Sequence, residues 1–303
     1  MSDFQAARVF LSSLGLNFGD LAALQDLDLS NNRLITSDSL KSLAALTALK
    51  HLDVRGTGVT RVSHLAALTA LERLDLCGCD VWDFEPLAKL TALKHLNLSF
   101  LLDNPDDIRY LQPLAALTGL KFLALNNCAA IWDVGPLAAL FALKHLDLGN
   151  TSVANVVPLA ALTALKHLDL SNTGVTNVSR LAALTALTHL YLGALKITDV
   201  KPLAVLTGLQ QLNISNTGVA DISFLAELTG LLSLDLSYNL ITSDSLKSLA
   251  ALTALKNLNL KSNIGVTNVD PLAELTSLEH LDLRYCVCDI EPLAELTSLQ
   301  INM

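Results

Sequence analysis

The stretch LAALTALKHLDLSNTGVTNV, residues 159–178, decides the fold of this 303-residue chain, because close copies of it recur from about Leu24 to the end. The leucines that open successive copies recur about every 22 residues, and self-similarity at such a period is typical of a solenoid, in which each unit buries its apolar face only against its neighbours. Their spacing is constant from Leu143 to Leu231 and is longest between Leu93 and Leu120. The opening leucines are Leu24, Leu49, Leu71, Leu93, Leu120, Leu143, Leu165, Leu187, Leu209, Leu231, Leu255, Leu278 and Leu299.

The quoted copy predicts the structure of one unit. Leu168 and Leu170 alternate with polar residues at the period of a short strand, and Leu181 and Leu184 extend the apolar ladder onto a short helical or 3₁₀ segment. Parallel strands stacked at about 4.8 Å would line one side of the coil. We therefore predict an α/β solenoid: a curved array with a parallel β-sheet on the concave face and short helical or 3₁₀ segments on the convex face.

The pattern LxxLxLxxTxVxxVxxLxxLTx, with the ending VxPLAxLT at residues 200–207, resembles the 22-residue subclass of leucine-rich repeats. This subclass is found in bacterial internalins and in a phosphatase-regulating subunit. The resemblance covers roughly residues 20–303 and leaves open a host-interacting bacterial protein or an intracellular regulatory subunit. Where the family usually places Asn after the strand, the position is here shared by Asn, Thr and Cys, whose hydroxyl or thiol groups can replace part of the amide hydrogen bonding. These residues are Asn32, Asn239, Asn263, Thr57, Thr151, Thr173, Thr217, Cys79, Cys128 and Cys286.

The repeats predict a single domain with its own N-terminal cap. An open solenoid must cover its terminal leucines, and residues 1–20 carry Phe4, Ala7, Leu11 and Leu14 at roughly helical spacing. We expect residues 1–20 to form a helical cap segment and residues 21–303 to form about 12 repeats.

Composition narrows the classes of partner. Apolar residues make up 51% of the chain, but no 18 consecutive residues are all apolar, which argues against a membrane span. The net charge of −9 argues against nucleic acid, since phosphate binding needs a basic face. Five cysteines, an odd number, do not indicate a disulfide framework. We predict a protein partner and no cofactor or metal, and the sequence leaves the partner's identity and the oligomeric state open.

The first twenty residues bear on localisation. They carry Asp3 and Arg8 and lack a long apolar stretch, so they do not resemble a secretory signal. The chain as it stands slightly favours a cytoplasmic location, and a secreted or surface-exposed location stays open if a signal has been removed.

Two polar columns are expected on the concave face, from strand residues that alternate with the leucines. Imidazole and carboxylate at this spacing could ligate a metal or exchange protons, so a metal-binding or acid–base enzyme is one alternative. Duplication of HLDL, with the two columns pairing as solvated groups, explains them more simply. The columns include His51, His95, His145, His167, His189 and His280, beside Asp53, Asp147, Asp169 and Asp282.

Departures from the repeat point to a binding site. The fourth unit, which opens at Leu93, is the longest and carries an extra segment from Phe100 to Tyr110, and the flanking units hold the only tryptophans, Trp82 and Trp132. We expect the tryptophans about 10 Å apart, two strand spacings, with Phe100 and Phe122 on adjacent concave strands. Large aromatics gathered on one edge of an otherwise aromatic-poor protein indicate an interaction hot spot. The alternative is that the tryptophans form a small core for the inserted segment.

A second aromatic set, Tyr191, Tyr238 and Tyr285, is expected on the concave face, and tyrosine is favoured at interfaces. The sequence thus predicts a non-enzymatic interaction scaffold that binds a protein through its concave face and the edge near repeats 3–5. A purely structural spacer is the remaining alternative.

Overall fold

A computed structural model describes residues 3–101, 111–197 and 199–303. The chain divides into two compact units, with the boundary between Ser152 and Val153. Each unit is a run of repeats in which a three-residue strand, a turn and a short 3₁₀ segment follow one another. The repeats are numbered by their strands, so that repeat 1 contains β1. A single domain over residues 21–303 stays a prediction.

The first unit contains the first six strands, which are parallel and follow one another in chain order. They are β1 (Asp26–Asp28), β2 (His51–Asp53), β3 (Arg73–Asp75), β4 (His95–Asn97), β5 (Phe122–Ala124) and β6 (His145–Asp147).

The second unit contains seven more strands in the described residues, and its strands are also parallel. They are β7 (His167–Asp169), β8 (His189–Tyr191), β9 (Gln211–Asn213), β10 (Ser233–Asp235), β11 (Asn257–Asn259), β12 (His280–Asp282) and β13 (Gln300–Asn302).

The segments opposite the strands are 3₁₀ helices, apart from one α-helix, α2 (Ser37–Leu43). Proline stands in the first turn of several of them, for example Pro86 and Pro202, because its fixed φ suits a helix start and its missing N–H has no partner there. The 3₁₀ segments are Leu21–Ala23, Ser63–Ala67, Glu85–Lys89, Gln112–Ala116 and Gly135–Ala139 in the first unit, and Val157–Ala161, Ser179–Ala183, Lys201–Val205, Ser223–Glu227, Ser243–Leu249, Asp270–Glu274 and Glu291–Leu293 in the second.

The stacked leucines set the register of the strands. The central leucines pair in sequence, Leu52 with Leu74 and Leu74 with Leu96, and all three are buried. Since side chains alternate across a strand, burying this residue turns the first and third strand residues outward. These outward residues form what we call the strand face.

The position after each strand that the family fills with asparagine satisfies buried backbone groups. Asn239 donates to the carbonyls of Ile214 (2.8 Å) and Leu236 (3.0 Å), and its Oδ1 accepts from three consecutive backbone N–H groups, beginning at Thr217. Threonine and cysteine provide a smaller part of this bonding, as predicted: the Thr57 hydroxyl and the Cys79 thiol both donate to the carbonyl of Val54. These groups point into the core. We call the set of positions that they occupy in successive repeats the ladder.

The ladder cysteines are structural in character. Cys128 donates to the carbonyl of Leu98 at 3.2 Å, and Cys286 donates to that of Leu260 at 3.3 Å. Burial raises the pKa of the Cys79 and Cys286 thiols, which keeps them neutral donors. The sequence prediction of a hydrogen-bonding role for these residues is confirmed.

The N-terminal segment forms helix α1 (Asp3–Ser13), which contacts α2 and the first 3₁₀ segment. Ala7 and Leu11 are buried, whereas Phe4 is exposed. The helix therefore covers the start of the first repeat with one apolar side.

Parallel strands on one side and 3₁₀ segments on the other define a leucine-rich repeat solenoid in each unit. The predicted fold class is confirmed.

Candidate functional site

The strand face carries the two polar columns at the positions that the sequence predicted. His51, His95, His145, His167, His189 and His280 are first residues of their strands, and Asp53, Asp147, Asp169 and Asp282 are third residues of theirs. Among the described residues, no group of three or more His, Cys, Asp or Glu side chains is arranged to hold a metal ion. No geometric observation therefore supports the metal-dependent alternative.

In the first unit, the first-column residues of repeats 4–6 form a stack of flat side chains. The Phe122 ring lies 4.0 Å from the His95 ring with a 9° angle between the planes, and 4.3 Å from the His145 ring with a 13° angle. Partial burial and the Arg73 charge lower the pKa of His95, against a smaller opposing effect of Asp75. His95 is consequently a neutral, flat contact surface near pH 7.

The second unit has a looser aromatic group on its strand face. The His167 ring lies 5.7 Å from that of His189 and 5.2 Å from that of Tyr191, and the Tyr191 hydroxyl donates to Gln211 at 2.7 Å. Burial and the charge of His189 lower the pKa of His167. Tyr191 thus lies on the strand face, where the sequence placed it.

The carboxylates of the second column accept backbone hydrogen bonds from the turns that follow their strands. Asp75 accepts the backbone N–H of Cys77 at 2.9 Å, and Asp169 accepts that of Ser171 at 2.7 Å. The same bond recurs at Asp53, Asp147 and Asp282. The pairing of the two columns with each other stays a prediction. The carboxylates stabilise the turns that follow their own strands, and this explains why Asp is repeated there.

A cleft with a volume of about 530 Å³ lies over the strand face at repeats 1–4. Its charged lining has more carboxylates than guanidinium groups. Burial raises the pKa of the Asp53 carboxyl, with smaller effects in the same direction from the charges of Asp75 and Asp28, while Arg55 opposes them. The cleft can accept cationic side chains. Its non-histidine charged groups are Asp26, Asp28, Asp53, Asp75, Arg55 and Arg73.

Both tryptophans are exposed in turns of the first unit. Trp82 is 50% exposed and Trp132 is 57% exposed, and each follows a buried residue, Val81 or Ile131. Phe100, in the turn between them in sequence, is also exposed. We call Trp82, Phe100 and Trp132 the repeat 3–5 edge. Tyr110 and most of the inserted segment lie outside the described residues.

Three aromatic residues do not lie on the strand face, contrary to expectation. Phe100, Tyr238 and Tyr285 each follow their strand by three residues and occupy its turn, with φ of 55°, 57° and 65°. The sequence prediction was wrong because it assigned these residues to the strand surface, whereas each strand ends after three residues and the backbone then turns left-handed. Phe122, by contrast, lies on β5 as predicted.

Sequence reasoning missed three exposed apolar residues in the turns of repeats 10–12, namely Leu240, Ile264 and Val287. Each directly follows a ladder residue, at a position where Gly174 and Gly218 stand in neighbouring repeats. Aligning the repeats on the ladder would have shown this change of residue type. None of the described helices is long and apolar enough to cross a membrane.

The solenoid and the ladder define the class of protein, and sequence and structure comparisons agree with it. Leucine-rich repeat family models match residues 23–46, 163–205 (two copies) and 229–250. The chain thus carries leucine-rich repeats and resembles the internalins. No curated protein matches the sequence.

Solved structures give the relationship in more detail. An internalin from Listeria monocytogenes, InlF, is 27% identical with a TM-score of 0.80, over 99% of this chain and 94% of the other. Internalin C2 of the same organism is 26% identical with a TM-score of 0.54, over 78% and 93%. The functional domain of InlJ, which includes a cysteine ladder, is 22% identical with a TM-score of 0.70, over 99% and 68%, a likeness of fold alone. Leucine-rich repeat proteins of this kind are typically non-enzymatic interaction modules.

Proposed function

We propose that this chain is a non-enzymatic scaffold that binds a protein partner through the strand face of its first unit and the adjoining repeat 3–5 edge. The observation that carries the proposal is the exposure of both tryptophans, in a chain in which only 5% of residues are aromatic. Large aromatic side chains contribute most of the binding energy at protein interfaces. Leaving two of them in water is unfavourable unless a partner covers them.

The strand face supplies a rigid surface beside this edge. The ring stack of His95, Phe122 and His145 is built on strands whose backbones are fixed by hydrogen bonds to their neighbours. A preformed surface lowers the ordering cost of association. The stack offers a flat aromatic contact, and the tryptophans provide side chains for insertion into the partner.

The cleft at repeats 1–4 favours basic groups on the partner. Four carboxylates and two guanidinium groups line it, and one guanidinium, that of Arg55, is paired with Asp53 at 3.2 Å. The Asp26 carboxylate contacts the His51 ring at 2.5 Å, so lysine or arginine side chains of a partner can pair with Asp28 and Asp75. Because such pairs are partly solvated, they contribute more to orientation and association rate than to affinity.

The test is a double substitution, Trp82→Ala with Trp132→Ala, in the full chain. We expect loss of a saturable partner captured from a native extract, while the thermal midpoint stays nearly unchanged. Phe141→Ala is the matched control, because Phe141 is also an exposed aromatic of the first unit but follows a 3₁₀ segment rather than a strand. It should leave capture intact.

Two results would contradict the proposal. Undiminished capture by the double variant would remove the edge from the interface. A large fall in the thermal midpoint would assign the tryptophans to a local core, the alternative that the sequence left open.

A further inference from the structure

The turns of repeats 10–12 form an exposed apolar surface in the second unit. Five large side chains project there, including Tyr238 at 51% and Tyr285 at 71% exposure; the others are Leu240, Ile264 and Val287. The turns are stacked by backbone hydrogen bonds, from the Tyr238 N–H to the Lys261 carbonyl and from the Ser262 N–H to the Arg284 carbonyl, both 2.8 Å. We call this surface the repeat 10–12 edge.

The residue type at this edge departs from that of the other repeats. The position after the ladder residue holds small or charged residues in much of the array: Gly58, Asp80, Ser152, Gly174, Lys196 and Gly218. In three consecutive repeats it becomes leucine, isoleucine and valine. Their exposure shows that the core of the second unit does not require them.

The two tyrosines occupy a backbone position that disfavours them. Their left-handed position is filled by Asn or Gly in most repeats, as at Asn172 and Asn216. Asparagine and glycine tolerate positive φ, whereas a bulky side chain there is unusual and strained. Strain of this kind clusters at ligand-binding sites. Tyrosine at this position therefore indicates a role other than folding.

A cation lies between the two rings. The Lys261 ammonium is 5.1 Å from the centre of the Tyr238 ring and 5.6 Å from that of Tyr285. Its neighbours Lys256 and Arg284 pair with Glu279 and Asp282. Lys261 makes no ion pair within the part of the chain that the structure describes. Lys261 also forms a side-chain hydrogen bond with Tyr238 and is attracted by the Asp282 carboxylate, which is itself paired with Arg284. An ammonium in this position can therefore still receive an anionic group from a partner.

We propose that the repeat 10–12 edge binds a short segment of a protein partner in which a carboxylate side chain is flanked by apolar residues. The carboxylate pairs with Lys261 between the tyrosine rings, and the apolar residues cover Leu240, Ile264 and Val287. Charge complementarity selects this occupant: a single carboxylate meets one unpaired cation, whereas a long polyanion would be repelled by a chain of net charge −9. The inference deepens the proposed function and rests on its statement that the chain is an interaction scaffold.

The test begins with a displayed library of random peptides selected on the full-length chain. Peptides eluted from it are synthesised, and their dissociation constants are measured by fluorescence polarisation at low and high salt. We expect selected peptides to contain Asp or Glu next to apolar residues, and their binding to weaken with salt.

Variants connect the binding to the edge. Lys261→Ser introduces the residue found at this position in repeats 7 and 9, and Tyr238→Asn with Tyr285→Asn introduces the commonest residue at theirs. Each variant should weaken peptide binding about tenfold or more, the range of an interface hot spot, without lowering the thermal midpoint. Leu240→Asn should also weaken binding. Leu34→Asn is its matched control, because Leu34 is exposed in the same LITSDSLK context but has no tyrosine pair beside it.

Several outcomes would overturn the proposal. These are failure to select any peptide, selected peptides without a carboxylate, or affinities unchanged by Lys261→Ser. A fall in the thermal midpoint of the tyrosine variant would make the tyrosines structural. Sedimentation showing a dimer of the natural chain that the tyrosine variant loses would identify a second copy as the occupant.

The two proposals can fail separately. Peptides that depend on Trp82 and Trp132 alone would overturn the present inference and leave the proposed function standing. Peptides that depend on Lys261 in a chain whose tryptophan variant still captures its partner would move the interface from the repeat 3–5 edge to this one.

Discussion

The tryptophans of the repeat 3–5 edge and the tyrosines of the repeat 10–12 edge are all exposed, but they stand on different backbones. Phe100, the third member of the repeat 3–5 edge, shares the left-handed position of the tyrosines. Trp82 and Trp132 follow a buried residue and are not among the residues with positive φ. Tyr238 and Tyr285 stand at a left-handed position that Asn or Gly usually fills. The tyrosine arrangement costs conformational energy that the tryptophan arrangement does not.

The ladder beneath the two edges differs as well. Cys79 lies under the turn of Trp82 and donates one hydrogen bond to the Val54 carbonyl. Asn239 follows Tyr238 directly and bonds both neighbouring carbonyls and a run of backbone N–H groups. Tyr285 is followed by Cys286, whose thiol donates to the Leu260 carbonyl, so the fully bonded asparagine supports the Tyr238 turn and not both tyrosine turns.

The largest expected effect is at Asn239. Asn239→Ala leaves several buried backbone groups without partners and should lower the free energy of unfolding by about 3 kcal/mol. Cys79→Ala should cost about 1 kcal/mol or less, because a thiol is a weak donor. Urea unfolding of the two variants measures both values. Equal costs would show that the ladder supports both edges alike.

The next largest expected effect is an increase in the free energy of unfolding. Tyr238→Asn with Tyr285→Asn should raise the free energy of unfolding by about 0.5 to 1 kcal/mol per site, since asparagine tolerates the left-handed conformation better. Trp82→Ala with Trp132→Ala should change it by less than about 0.5 kcal/mol each, as is usual for exposed sites. Thermal and urea unfolding provide the comparison. Destabilisation by the asparagine variant would remove the contrast in strain between the two edges.

The smallest expected effect is the contribution of His95, in the first unit, to the pH dependence of stability. The pKa of folded His95 is below its ordinary value of 6.5, so the unfolded chain binds more protons as the pH falls through that value. This histidine therefore makes the protein less stable as the medium is acidified from pH 7. His95→Phe keeps a ring against Phe122, removes the titration and should make stability, measured by urea unfolding, less dependent on pH between 7 and 5.

The control for this prediction is Asn257→Phe, which places the same ring at an exposed first-column position that carries no titrating side chain. It should leave the pH dependence of unfolding close to that of the natural chain. An equal reduction in both variants would show that partial burial of His95 is not the cause.

Much of the fold could be predicted from the sequence because a residue that recurs at the same place in each repeat has the same structural role in each. Leu74 and Leu96 hold the same place in successive repeats, so the sequence already indicates that they stack, and the alternation around them places His95 on the strand face. The repeat period also located the tryptophans and the ladder cysteines. It failed at Tyr238 and Tyr285, because a periodic pattern records spacing and not the sign of φ.

By itself, the sequence determined the solenoid, the order of its strands and the columns of their outward side chains, since each follows from the period and from alternation along a strand. Tertiary structure decided which of the departures from the repeat are exposed, which backbone positions are left-handed, and that the Lys261 ammonium lies between two rings contributed by the turns of repeats 10 and 12. The physical reason is that exposure and ring–cation contact depend on the stacking of neighbouring turns, and no single repeat contains that information.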